Sequence, residues 1–198
     1  MAIIYKTCAQ DGTIPDYVCD PCDKTEDGRV RGAAYIHKSL KDTILKTNVE
    51  SFNWWENGIE SGMIKVIPST RGTFDGGAKQ TVTGFGDEQD KVTKKTFTAV
   101  VNDKNHAGNE LFYEALENNF KDYILAFRTK NELRIATDVM TGMEVKDAVE
   151  EDTTSIVVWQ ATITWDQSVP KTIVPIYTLT DEVKELFTNC VDTDTEPD

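Results

Sequence analysis

Strand-like runs bracketing one amphipathic helix constrain the fold more than any other feature of this chain. From Lys91 to Val101, Phe97, Ala99 and Val101 share one face while Lys94, Thr96 and Thr98 share the other, the period of a half-buried strand. From Asn109 to Phe120, Leu111, Phe112, Ala115, Leu116 and Phe120 recur at helical spacing, with Glu110, Glu114, Glu117 and Lys121 facing outward. Tyr123 to Arg128 and Glu132 to Thr137 read as two strands joined through Thr129-Lys130-Asn131 as a hairpin. Ser155 to Trp165 is the longest strand, with Val157, Trp159, Ala161, Ile163 and Trp165 on one side. Ile173 to Leu179 carries Pro175, which suits an edge strand, and Thr180-Asp181-Glu182 opens a short helix with Val183, Leu186 and Phe187 as its stripe.

Many strands around one clear helix predict an α+β fold, a mostly antiparallel β-sandwich or open barrel with one flanking helix and an irregular N-terminal arm. The 198 residues suffice for one well-filled core. The expected division is an N-terminal arm and extension over 1–62, a β-rich core domain over 63–190 with its helix at 109–120, and an acidic, disordered tail over 191–198. The arm is expected because its apolar residues keep neither a 3.6 nor a 2.0 period for long. Within it Val30 to Ile36 reads as a short strand, and Leu40, Ile44 and Leu45 have helix-like spacing. Met63 to Ile67 reads as a strand ended by Pro68, Arg71 to Gly77 as a loop, and Lys79 to Phe85 as a weak alternation before a turn ending at Asp90.

Charge narrows the function. Asp and Glu number 34 against 21 Lys and Arg, a formal charge of −13, so sequence-specific binding of nucleic acid is not expected. An acidic surface serves either to keep a protein dispersed or to let a nucleic acid slide past without sticking. The start, Met1-Ala-Ile-Ile-Tyr-Lys, has no apolar signal region, and no run approaches the roughly 18 apolar residues of a membrane span. A protein made and used in the cytosol, without membrane contact, is the expectation. Cys8, Cys19, Cys22 and Cys190 are too few and too uneven for a secreted disulfide framework.

Few residues suggest chemistry. Cys19-Asp20-Pro21-Cys22 supplies half of a tetrahedral zinc site, with Cys8, and His37 or Cys190, as candidates to complete it. Unreactive thiols are the competing reading, and the polar stretch from Asp23 to Gly28 does not suit a redox motif opening a helix. His106 follows Asn102-Asp103-Lys104-Asn105, a pattern better suited to turns and helix caps than to a general base. The acidic clusters at Asp87–Asp90, Glu150–Asp152 and Asp192–Asp198 lack the spacing of a calcium loop and read as solvated loops. No nucleophile elbow, zinc-protease helix or phosphate loop occurs, so no enzyme is expected. Arg29-x-Arg31 is a compact basic spot among acids: it either docks on an acidic neighbouring subunit or blocks aggregation at a strand edge. Trp54 and Trp55 are candidates for the core or an interface, and with Trp165 they could instead stack on a sugar ring or peptide.

Gly76-Gly-Ala-Lys-Gln-Thr-Val-Thr-Gly-Phe-Gly86, the helix Asn109-Glu-Leu-Phe-Tyr-Glu-Ala-Leu116, Ile124-Leu-Ala-Phe-Arg128 and Val157-Val-Trp-Gln-Ala-Thr-Ile-Thr-Trp165 together form a pattern. It resembles the virion structural proteins of tailed bacteriophages, of the tail-tube and connector-ring class. The cysteine-bearing N-terminal arm is similar to structural proteins of crAss-like phages. The resemblance implies a sandwich-like subunit that closes into a ring or tube in the neck or tail, with a hairpin or arm joining its neighbour's sheet. Its partners would be identical subunits and portal, adaptor or tail components, with no cofactor, no catalytic residues and the virion as its place. A monomeric β-sandwich binding glycan or peptide, or a head-bound decoration protein, is the alternative.

Overall fold

The computed structural model describes residues 29–83, 90–104, 108–148, 157–168 and 174–188, side chains within 79–83 and 90–94 and those of Ala148 and Ser168 excepted. The thiols of Cys8, Cys19, Cys22 and Cys190, the acidic segment from Val191 and His106 lie outside the described residues.

Two antiparallel sheets make the expected sandwich. Strands β1 (Gly32–His37), β2 (Ile64–Ile67), β6 (Tyr123–Arg128), β7 (Glu132–Ile135) and β10 (Ile176–Thr178) form the first, in the order β10-β7-β6-β1-β2. Strands β3 (Arg71–Phe74), β5 (Asp90–Asp103), β9 (Val158–Ser168) and β8 (Met140–Ala148) form the second in that order, and β4 (Ala78–Thr83) also pairs with β5. Helices α1 (Lys46–Val49), α2 (Phe52–Glu60), α3 (Glu110–Asn118) and α4 (Asp181–Leu186) complete the fold. The expected hairpin is present, with Ala126, Phe127 and Arg128 opposite Ile135, Arg134 and Leu133. The strand after Pro175 lies at an edge, paired only with β7 among the described strands.

Aromatic side chains fill the space between the sheets. Phe127 of the first sheet meets Phe74 of the second at 5.0 Å between ring centroids. Phe97 and Trp165, paired across β5 and β9, stack at 5.5 Å, and Phe74 lies 5.9 Å from Phe97. Alternation then sends Ala34, Ile36, Ile124 and Ala126 to the other face of the first sheet, where helices cover them. Ile64 pairs with Ile36, and its side chain meets α2 at Gly58, where a Cβ would lie 2.3 Å from Ile64 Cδ1. The helices α2 and α4 join through Trp55 and Phe187, whose rings lie 5.3 Å apart.

Residues 30–62 therefore differ from the expected arm. Strand β1 lies inside the first sheet between β6 and β2, and Val30 bridges to Gly72 of the second sheet. The physical reason is burial on both faces: Ala33, Ala34, Tyr35 and Ile36 are all at 0% exposure, so no polar face imposes a period of two. The expected loop at Arg71 to Gly77 begins as β3, and β8, which was not anticipated, pairs with β9 along its length. The α3 stripe also turns: Tyr113 and Leu116 are buried, whereas Leu111 is 77% exposed. Tyr113 is drawn inward because its hydroxyl meets a buried carboxylate, Asp103.

Strands β3 and β4 run in succession along one edge of β5, separated by Asp75, Gly76 and Gly77. Asp75 spans this gap: its Oδ1 accepts from Gly77 N at 2.8 Å and from Thr98 N at 3.0 Å, while its own N–H donates to Thr98 O. Gly77 sits at φ +81°, with its missing Cβ 2.6 Å from atoms of the Phe97 ring, so the site admits only glycine without strain.

Candidate functional site: a basic cleft

Five cationic side chains, Arg29, Arg31, Arg71, Lys104 and Arg128, line one cleft of about 350 Å³ in a chain that is otherwise strongly acidic. Among the described residues its lining contains no carboxylate. Arg29 and Arg31 arrive at the entry to β1, Arg71 at the start of β3, Lys104 just beyond β5 and Arg128 at the end of β6. Strand ends from both sheets thus converge at one rim, which is how residues far apart in sequence come together.

The floor of the cleft is tied down by backbone contacts. Ser69, in the turn between β2 and β3, takes φ +55°, an unusual value for a non-glycine residue. That conformation is held from two sides: Ser69 N donates to Phe187 O at 3.0 Å, and its hydroxyl donates to Thr188 O at 2.5 Å. Arg128 Nη1 donates to Lys184 O at 2.9 Å and to Thr188 Oγ1 at 2.7 Å, placing a cation where the last carbonyls of α4 point. Thr70 lines the cleft at 2% exposure, and its hydroxyl has no hydrogen-bond partner among the described residues. A buried hydroxyl without a partner costs about 1–3 kcal/mol. Arg29, Arg71 and Lys104 are exposed and form no ion pair among the described residues. Converging guanidinium forks, an ammonium and a buried hydroxyl are the chemistry of oxyanion recognition, for carboxylate or phosphate alike.

A second polar cluster lies deeper. The Tyr113 hydroxyl donates to Asp103 Oδ2 at 2.9 Å, and Asn109 Nδ2 approaches the same oxygen at 3.5 Å. Burial, and then Asp103, push the Tyr35 hydroxyl well above the ordinary tyrosine range, while burial, Tyr35 and Asp103 do the same to Tyr113. Both phenols therefore stay protonated near neutrality, Tyr113 as a donor and Tyr35 as a packing group, and neither serves as a base.

Of the residues singled out in the sequence, Arg29 and Arg31 enter the cleft. Trp55 is wholly buried, its indole N–H donating to Val49 O at 2.8 Å, and Trp165 is at 0% exposure with its N–H on Gln167 Oε1. Neither offers a face to a sugar or peptide. Trp54 is half-buried against Trp55, 5.1 Å between centroids, and donates to Thr43 Oγ1. The members sequence reasoning missed are Ser69, Thr70, Arg71, Lys104, Arg128 and Thr188. The only signal in the chain was the Arg29-x-Arg31 pair, since the other cations are isolated in sequence. Among the described residues, no three His, Cys, Asp or Glu side chains gather as metal ligands. No helix of these residues is long and apolar enough to cross a membrane.

Compared with protein-family models, curated proteins and solved structures, the chain matches none.

Proposed function

We propose that this chain is a structural subunit of a tailed-phage particle, forming with identical copies a ring or tube in the neck or tail through which the genome passes. The observation that carries the reading is the ribbon formed by β4 and β5. Thr81, Val82 and Thr83 pair with Val92, Lys91 and Asp90, whereas the pairing of β5 with β9 begins only at Lys94. Among the described strands, the far end of the ribbon is therefore two-stranded and β4 presents an open edge. A two-stranded ribbon is marginal in water by itself, and an open edge is a template for another chain's backbone.

A neighbouring subunit that supplies the third strand satisfies both deficits at once. Such an interface is heterologous, and when the rotation it sets closes, the product is a ring. The acidity of the remaining surface suits a lumen that DNA traverses without adhering. In this reading the chain does no catalysis, and its other contacts are with portal, adaptor or tail proteins of the virion. The test is native mass spectrometry with particle imaging across a concentration range. Closed multimers with a central hole support the proposal; a monomer at every concentration, also when mixed with other virion proteins, refutes it.

A further inference from the structure

We infer that the groove between β2 and α3 seats the neighbouring subunit, with β4 of one copy adding to the outer edge of β2 in the next. The inference rests on the proposed ring and names the surface that receives the ribbon.

Register makes β2 a receiving edge. Ala33, Ala34, Tyr35 and Ile36 lie opposite Ile67, Val66, Lys65 and Ile64, and His37 N donates to Met63 O at 2.8 Å. Bonded and outward-facing residues alternate along an antiparallel pair. Lys65 and Ile67 therefore bond to β1, while Ile64 and Val66 turn their N–H and C=O groups away from it. Among the described strands none pairs with β2 on that side. A cavity of about 340 Å³ lies between residues 64–68 and the α3 residues Asn109 and Phe112. Successive residues of a strand point to opposite faces, so a cavity touching all of them sits at the edge of the strand and not over one face. Lys65 and Phe112 also wall a second cavity of about 270 Å³, beside Ala115 and Asn119. Asn109, Phe112, Ala115 and Asn119 recur at steps of three and four residues and share one face of α3. A strand edge facing a helix across a groove is the geometry into which an extended segment adds through backbone hydrogen bonds.

Closure and elimination select the occupant. A ring needs two different patches, because β4 pairing with β4 of another copy makes a two-fold dimer and stops there. The other described edges are engaged or short. At β8, Val145 N donates to Glu117 Oε1 at 3.0 Å, so α3 caps that edge. At β3, Val30 bridges to Gly72. Strand β10 has three residues and follows Pro175 directly. Strand β2 offers four residues, about 13 Å of edge, and β4 offers six to match it.

The test uses the full chain at concentrations where multimers form. Lys65→p-benzoylphenylalanine places a photo-crosslinker at an exposed position shared by both cavities. Irradiating an equal mixture of 14N and 15N protein should join position 65 to residues 78–83 in isotopically mixed pairs. Hydrogen exchange resolved by residue should show the Val66 amide slowed at least tenfold on assembly, with the Lys65 amide protected in both states. Val66→Pro removes an outward N–H and no bond to β1, so the folded variant should need at least tenfold more protein for half-assembly. Multimers whose cross-links avoid residues 78–83, whose Val66 amide exchanges as fast as in the monomer, or which form unchanged from folded Val66→Pro protein would overturn the inference and leave the ring standing. A chain that stays monomeric even with other virion proteins present refutes the ring, and the inference with it.

Discussion

At the scale of single residues, the buried Asp103 cluster shows how two tyrosines of similar burial carry opposite energetic signs. Tyr113 satisfies Asp103 through a 2.9 Å hydrogen bond, whereas the Tyr35 hydroxyl is buried without a partner. Tyr113→Phe should lower stability by about 1–3 kcal/mol because it strands a buried carboxylate oxygen, while Tyr35→Phe should be neutral or mildly stabilising, read by urea denaturation. The same pair should make the protein alkali-sensitive. Both folded-state phenol pKa values are raised above the unfolded value near 10, so their contribution is complete below about pH 10 and declines as the pH rises past it. Each phenol should add a loss approaching about 1.4 kcal/mol per pH unit above that point, and the slope should fall in the Tyr113→Phe variant. Absorbance at 295 nm should show these two tyrosines ionising only as the chain unfolds. At Gly77, alanine meets both a left-handed backbone and the Phe97 ring. Gly77→Ala should therefore cost about 2–4 kcal/mol in thermal or urea unfolding, the sum of a backbone penalty and overpacking.

Elements show where periodicity succeeds and where it misleads. Strand β6 and the α4 cap were legible: Tyr123–Arg128 has the expected bounds, and Thr180 Oγ1 accepts from Val183 N. Strand β5 was legible through its alternating face, with Phe97, Ala99 and Val101 buried as expected. Strand β8 was not, because Met140, Met143 and Val145 are interrupted by Gly142 and its exposed edge carries Glu144 and Lys146. The α3 face was misread by one position because Leu111 is apolar yet exposed, while Tyr113 is amphipathic yet buried. The β4–β5 ribbon is the element whose purpose lies outside the monomer in the proposed function. Replacing residues 81–93 by Asn-Gly joins the paired positions Gln80 and Lys94 through a tight turn. This change should shift the melting temperature by only a few degrees while abolishing multimers in sedimentation; multimers that survive it would remove the ribbon from the interface.

For the whole molecule, the decisive fact is that residues 30–62 belong to the sandwich. Strand β1 pairs with β6 over six positions and with β2 over four, and α2 seals the outer face of that sheet through Trp55. Deleting residues 1–62 should therefore abolish cooperative unfolding, monitored by circular dichroism and calorimetry, because it removes an interior strand and exposes two new edges. A truncated chain that still unfolds cooperatively would show that the remaining strands close a core without β1. The two sheets also bring their strand ends to one rim, and only there do cations separated by up to 99 positions, from Arg29 to Arg128, create a site.

The amino-acid sequence by itself determined the fold class, the edge position of the last strand, the central helix and the acidic character of the surface. These follow from local periods, caps and composition, which act over a few residues. Tertiary structure alone decided that β1 is interior, that Trp55 and Trp165 face the core, and that Arg71, Lys104 and Arg128 join Arg29 and Arg31. The physical reason is that burial on both faces erases periodicity, and a charge cluster assembled from four strand ends has no period to read.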